Sequence, residues 1–310
     1  MSTIEVYQYR SLNPGPRLLI LGAVHGNETC GVKAIRALVD AFGRGERQLC
    51  RGVLTLVPVA NPVAYARGQR EGDRNLNRDF RPSVSPEAAE DRIANHLAPL
   101  LASHDALVDL HSFSAPGEAF VFFGPEDNDE ELEPFRRARE EAALALAMGP
   151  RRLVCGWLAA YSRGVRRRAN GSVAYGIGTT EYMRAQGGYA VTVECGQHAD
   201  PAAPAVAARA IEGALSLLGL VDQPAPPAAT AELERIELVD VIDRLDPGDR
   251  FERSWRSFDA LAAGDVIARR ADGEALRAPE AGYVVFPNPN TPPGREWFYF
   301  ARRGHRPDLQ

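Results

Sequence analysis

The sequence is poor in cysteine, in long apolar runs and in excess positive charge, and each shortage narrows what the protein does. Its four cysteines, Cys30, Cys50, Cys155 and Cys195, are scattered through 310 residues with no C-x-x-C pair. That spacing argues against a thiolate metal cage or a thioredoxin-like motif, and a chain of this length needs no disulfides to fold. No apolar run approaches the roughly 20 residues that span a bilayer. The N-terminal MSTIEVYQYRSLNPGPR lacks the basic segment and apolar stretch of a signal peptide. We therefore expect a cytoplasmic protein with no membrane partner. The net charge of −5 offers no basic surface excess for nucleic acid, so the expected partner is a small molecule.

With 45% apolar and 25% charged residues, the chain has the composition of an ordinary globular protein, and its length predicts one large domain plus a smaller one. Strand-like runs at 18–24, 53–59, 106–110, 118–123 and 190–194 alternate with helical patterns. Val32, Ile35, Leu38, Val39 and Phe42 recur at three- and four-residue spacing, one face of a helix. Further helices are predicted over 86–101, 129–147 and 202–220. This alternation implies an α/β fold, a sheet with helices on both faces. The composition then shifts at DQPAPPAAT, which reads as a linker over 222–230. Beyond it, IELVDVI, GDVIARR and AGYVVFPNP predict a small β-rich domain over 231–310, against a main domain over 1–221.

Three of the predicted strands end in chemistry. LLILGAV runs into His25, Gly26, Asn27 and Glu28, which alone reads as an ordinary polar turn. ALVDLHSFS places His111 at the end of another apolar run, with Asp109 two residues earlier on the same strand face. In an α/β sheet, ligands gather outside the carboxyl ends of the strands. There, His25, Glu28 and His111 would form the two-imidazole, one-carboxylate set that leaves zinc an open position. YAVTVECG ends in Glu194, which suits a general base and acid beside such a metal or, equally, a buried ion-pair carboxylate. Between them RGQREGDRNLNRDF, Arg67 to Phe80, is dense in guanidinium and amide groups that fit a carboxylate; an exposed charged loop would look similar. Arg166, Arg167 and Arg168 read as solvated surface, Cys195 as a small buried residue, and His198 as a minor candidate for an extra acid.

H-G-N-E after a strand, NLNRDF, VDLHS and TVECG, in that order, resemble the succinylglutamate desuccinylase/aspartoacylase family, which is related to the zinc carboxypeptidases. The resemblance covers roughly 17–215 and extends faintly beyond. It implies a carboxypeptidase-like mixed sheet flanked by helices, with one zinc ion per subunit on His25, Glu28 and His111, and Glu194 as the glutamate that activates the metal-bound water. Asn77 and Arg78 match the pair that holds a substrate carboxylate, and Arg70 matches an arginine that polarises the scissile carbonyl. Arg184 falls, by spacing, where aspartoacylase-like members carry an arginine for a second carboxylate. A C-terminal tyrosine, Tyr283 or Tyr299, is expected to complete the pocket. Two departures bear on the substrate: Asn75 stands where the family carries an acid in D-L-N-R, and ECGQHADP replaces the segment that follows the glutamate in desuccinylases. The expected activity is zinc-dependent hydrolysis of the amide of an N-acyl amino acid or similar small carboxylate. The alternatives are a metallocarboxypeptidase acting on peptides, an esterase or amidase on another metabolite, and a non-catalytic metal-binding protein. Homo-oligomerisation stays open.

Overall fold

A computed structural model describes residues 3–168, 171–222 and 232–306. In chain order the first seven strands are β1 (Tyr7–Arg10), β2 (Arg17–Gly22), β3 (Val53–Val57), β4 (Ala106–Phe113), β5 (Phe120–Phe122), β6 (Arg152–Cys155) and β7 (Tyr189–Gln197). The helices among and after them are α1 (Cys30–Gly43), α2 (Pro62–Arg67), α3 (Ala89–Ser103), α4 (Ala138–Ala147), α5 (Trp157–Val165), α6 (Thr179–Ala185) and α7 (Ala203–Leu217). The C-terminal part adds β8 (Glu234–Asp243), β9 (Arg250–Phe251), β10 (Asp259–Leu261), β11 (Val266–Arg269), β12 (Ala275–Arg277), β13 (Gly282–Val285) and β14 (Glu296–Arg303).

The run beginning at Leu18 shows why this sheet has two covered faces. Side chains on a strand alternate. Leu18 and Ile20 enter a core with Ile35 of α1 and Ile211 of α7, while Leu19 and Leu21 enter a second core with Ile93 and Leu97 of α3. An unbroken apolar run is what a strand covered on both sides requires. Strands β2, β3, β4 and β7 are mutually parallel neighbours, with β1 antiparallel at the outer edge and β5 antiparallel to β7.

The sheet does not stop at the predicted domain boundary. β8 pairs in parallel with β6, and β14, β13 and β10 follow antiparallel, giving one mixed eleven-stranded sheet in the order β1-β3-β2-β4-β7-β5-β6-β8-β14-β13-β10. β12, β11 and β9 form a separate three-stranded sheet. The expected mixed sheet with flanking helices and a β-rich C-terminal region is thus observed. The predicted linker lies outside the described residues except at Asp222. One helix needs correction. Over 129–147 only Ala138–Ala147 is helical, and before it Asn128 pairs with Phe135 in an isolated bridge. Pro134 is the physical reason: it removes an N–H and disfavours helical backbone at the residue before it.

Candidate active site

The site forms where β2, β4 and β7 end. Beyond Gly22 the chain turns through Ala23, which holds a left-handed φ of 47°, and the Glu28 N–H donates to the His25 carbonyl at 3.1 Å. This turn fixes the pair before α1 begins. Gly26 is required within it, because a Cβ there would lie 2.0–2.3 Å from the Ala64 and Tyr65 backbone of α2. His111 comes from the end of β4, and the parallel register sets it directly opposite Glu194 on β7.

The three candidate ligands converge. One ligand atom from each of His25, Glu28 and His111 lies within 4.8 Å of the others, all buried. Glu28 bridges the imidazoles, with Oε1 2.9 Å from His25 Nδ1 and Oε2 2.9 Å from His111 Nδ1. Tetrahedral zinc with bonds near 2 Å holds its ligand atoms roughly 3.3 Å apart, so only small movements separate this arrangement from a loaded one. The outer nitrogens face oxygens, the arrangement that orients histidines in metal sites: His25 Nε2 is 3.1 Å from Asn75 Oδ1, and His111 Nε2 makes a 3.1 Å ion-pair contact with Asp109 Oδ2 that lacks hydrogen-bond alignment. Thr179 Oγ1 in turn donates to Asp109. Asn75, the departure from the family pattern, therefore stands as an acceptor beside the first histidine.

Electrostatics agree with a cation site. Burial opposes charge on His111, yet Asp109 and Glu28 outweigh it and hold its pKa well above the usual histidine value. Burial and then Arg70 push His25 down to about 4. For Glu28 the imidazoles overcome the burial penalty and hold the carboxyl well below its ordinary range. The carboxylates of Glu28 and Asp109 thus make the cluster favourable to positive charge. Glu194 differs: burial raises it to about 8, against the pull of His111, and its Oε2 has no hydrogen-bond partner. A buried carboxyl with a spare oxygen facing a cavity is equipped to exchange protons.

A cavity of about 700 Å³ opens over these groups, lined by His25, His111, Glu194, Arg70, Asn77 and Arg78 among others. The structure thus brings His25, His111, Glu194, Arg70, Asn77, Arg78 and Arg184 to one cavity, with Glu28 buried behind the two histidines, but they are not equally free. Arg70 is half-exposed and donates to Glu28 at 3.1 Å. Asn77 Oδ1 accepts the Thr179 N–H at the start of α6, at 2.9 Å. Arg78 donates to both Glu296 oxygens, at 3.2 and 3.3 Å, and lies over the Trp157 ring. Arg184 is buried and committed: Nε donates to Glu141, Nη1 to Glu133 and Glu181, Nη2 to the Ala190 carbonyl. This is not the unpaired cation that a second substrate carboxylate needs. Of the two tyrosines, Tyr299 lines the cavity and donates to Glu296 at 2.8 Å. Arg167 and Arg168 pair with Asp240 and Asp243 of β8, so they tie α5 to the sheet.

Sequence reasoning missed Glu296, Trp157, Phe122, Phe286 and His305, all cavity-lining. Glu296 and Phe286 lie in the C-terminal segment, whose pairing with the main sheet no motif announces. Trp157 alone left a signal, as a large aromatic directly after Gly156. His198 lines the cavity and is 2.9 Å from Ser112 Oγ.

The fold and this cluster define an α/β protein with a candidate metal centre at the carboxyl edge of a mixed sheet. Residues 14–221 match the succinylglutamate desuccinylase/aspartoacylase catalytic domain, and the chain belongs to that family. A probable aspartoacylase from Prochlorococcus marinus (strain MIT 9312) is 30% identical over 119 residues, 35% of this chain and 38% of that protein. An N-acyl-aromatic-L-amino acid amidohydrolase (carboxylate-forming) from Rattus norvegicus is 34% identical over 118 residues, 34% of this chain and 36% of that one. The chain thus aligns with little more than a third of the length of these curated relatives. The crystal structure of a succinylglutamate desuccinylase/aspartoacylase from Rhodobacter sphaeroides superposes with a TM-score of 0.73 at 19% identity, covering 97% of this chain and 90% of that one. At that identity the likeness is one of fold. Among the described residues no helix is long and apolar enough to cross a membrane.

Proposed function

We propose that the protein is a zinc-dependent amide hydrolase that releases the amine of an N-acyl amino acid carrying one carboxylate. The observation that carries this reading is the buried convergence of His25, Glu28 and His111 with Glu194 opposite His111 and an unpartnered oxygen on it. His25 and His111 through Nδ1, and Glu28 through its carboxylate, are the residues that would hold zinc. When bound, the ion supplies Lewis-acid polarisation of a carbonyl and acidifies water.

The chain's own residues supply the remainder. Glu194, set opposite His111 with Oε2 free of hydrogen bonds, takes a proton from the attacking water and delivers it to the departing nitrogen. Arg70, which lines the cavity beside Glu28, would donate to the substrate's carbonyl oxygen. Asn77 Nδ2 and the Arg78 donors not spent on Glu296 hold the carboxylate. Membership of the family and the amidohydrolase relative support this reading. The placement of Glu296 and Tyr299 of β14 in the cavity wall supports a small substrate over an extended peptide.

The test pairs elemental analysis with an amine-release assay on N-acyl amino acids. One zinc per chain, turnover abolished by chelator, and a Glu194→Gln variant that keeps its metal while losing at least ~10²-fold in kcat are expected. Near-normal turnover by Glu194→Gln, or indifference to chelator, would overturn the mechanism.

A further inference from the structure

One stretch of the cavity wall away from the His–Glu cluster is aromatic, flanked by polar residues such as Asn128, Glu130 and Arg306. Phe122 of β5, Trp157 at the start of α5, Tyr299 of β14 and Phe286 form a closed circuit of ring contacts. Centroids lie 6.0 Å apart for Phe122–Trp157, 5.4 Å for Trp157–Tyr299, 6.4 Å for Tyr299–Phe286 and 6.0 Å for Phe286–Phe122. All four line the cavity, and Phe122, Trp157 and Phe286 are only partly buried. Phe286 also holds a left-handed φ of 52°. Such a backbone is unfavourable for a bulky residue and persists where the surroundings enforce it; here the Phe286 N–H donates to Ser257 Oγ at 3.1 Å. The ring packs on core Phe113 and Phe120, at 5.6 and 5.5 Å between centroids, and presents its remaining surface to the cavity.

Charge decides what this wall accepts. Arg78 is matched by Glu296, Arg184 by Glu133 and Glu141, and Glu237 by Arg302. Past the carboxylate held by Asn77 and Arg78, a second substrate carboxylate would be desolvated beside Glu133 and Glu296, and the buried arginines on that side already donate elsewhere, Arg184 to Glu133 and Glu141 and Arg306 to the Gly124 and Pro125 carbonyls, which is unfavourable. A substrate ammonium would have to compete with arginines already seated on the buried glutamates. An uncharged ring meets neither obstacle and gains apolar contact and edge-to-face packing with the circuit. The volume of about 700 Å³ is in the range of cavities that enclose drug-sized ligands, far beyond what an acetyl group and a short side chain fill.

Resting on the amide-hydrolase reading above, we infer that the substrates carry a single carboxylate and an uncharged aromatic or bulky apolar group, seated on Phe122, Trp157 and Phe286. This sets the chain apart from an enzyme for dicarboxylic acyl amino acids.

The experiment measures kcat/KM of the zinc-loaded protein on N-acetyl-L-phenylalanine, N-benzoylglycine, N-acetyl-L-alanine, N-acetyl-L-aspartate, N-succinyl-L-glutamate and N-acetyl-L-lysine. In parallel, thermal shift records binding of L-phenylalanine, benzoate, L-aspartate and L-lysine. At least one aromatic substrate should exceed the alanine, lysine and dicarboxylate compounds by roughly tenfold or more, the discrimination an apolar pocket supplies. Phe122→Ala and Phe286→Ala should each lower the aromatic-to-alanine ratio at least roughly threefold, with Phe→Leu at either position falling between. The wild-type panel decides the matter even if a variant fails to fold. Preference for a dicarboxylate or for lysine overturns this inference and leaves the hydrolase reading standing. Absence of hydrolysis with tighter binding of phenylalanine or benzoate overturns the hydrolase reading and supports the aromatic wall. Absence of hydrolysis with no such binding preference overturns both.

Discussion

Replacing Arg184 with methionine separates two roles for one buried arginine. The side chain is 4% exposed and reaches Glu141 (1% exposed), Glu181 (9%) and Glu133 (17%). Glu141 also accepts the backbone N–H groups of Gly124 and Ala190, and Glu181 accepts that of Gly178 at 2.8 Å. Arg184→Met removes the one cation of this group, preserves much of the side-chain volume, and leaves three buried or half-buried carboxylates facing one another. Breaking a buried pair from one side costs about 3–5 kcal/mol, which in a protein of this size lowers the melting temperature by roughly 5–10 °C. Arg302, 43% exposed between Glu237 and Glu280, is the control: its loss should cost about 0–1 kcal/mol. Urea unfolding of both variants beside the wild type, followed by fluorescence, reads the difference. If Arg184→Met unfolds within ~1 kcal/mol of wild type while KM for an acyl amino acid rises tenfold, the arginine serves a substrate carboxylate after all and the structural reasoning fails.

Two further outcomes follow from the same geometry. Burial, opposed by Arg184 and reinforced by Glu181 and Glu141, raises Glu133 from 4.5 to about 7; its contribution to stability is full below pH 4.5 and is lost as pH rises through 7. Glu133→Gln lacks that dependence, so between pH 4.5 and 8 the stability difference should move in the variant's favour by on the order of 3 kcal/mol; a pH-independent difference in urea melts would contradict the assignment. Gly26→Ala forces a methyl against the α2 backbone, an overpacking expected to cost at least about 1–3 kcal/mol and, by moving His25, to weaken zinc binding at least roughly tenfold. A competitive chelator titration giving unchanged affinity would show that the turn absorbs the methyl.

The parts of this protein that were legible in its sequence are those set by short-range rules. LLIL announced a doubly covered strand because both faces of β2 are core, and His25, His111 and Glu194 stood out because each closes an apolar run. The 129–147 helix was misjudged because its alanine and charge content was read over the veto of Pro134. The short pieces β6, α5 and α6 give too few periods to register. What could not be read was pairing. Nothing in NLNRDF tells that Arg78 meets Glu296, and nothing near Arg184 tells that Glu133 and Glu141 occupy it. Resemblance placed these arginines in the cavity, but the partners that neutralise them come from elements without a motif.

The Arg78–Glu296 contact joins residues 218 positions apart, and its consequence concerns the order of assembly. A chain that has emerged only as far as β7 already contains every metal-binding candidate and Glu194. At that stage Arg78 has its aromatic neighbour Trp157 but no carboxylate, and the wall that Glu296 and Tyr299 supply does not exist. The stretch of cavity wall made by Glu296 and Tyr299 is therefore the last part of the site that the growing polypeptide completes.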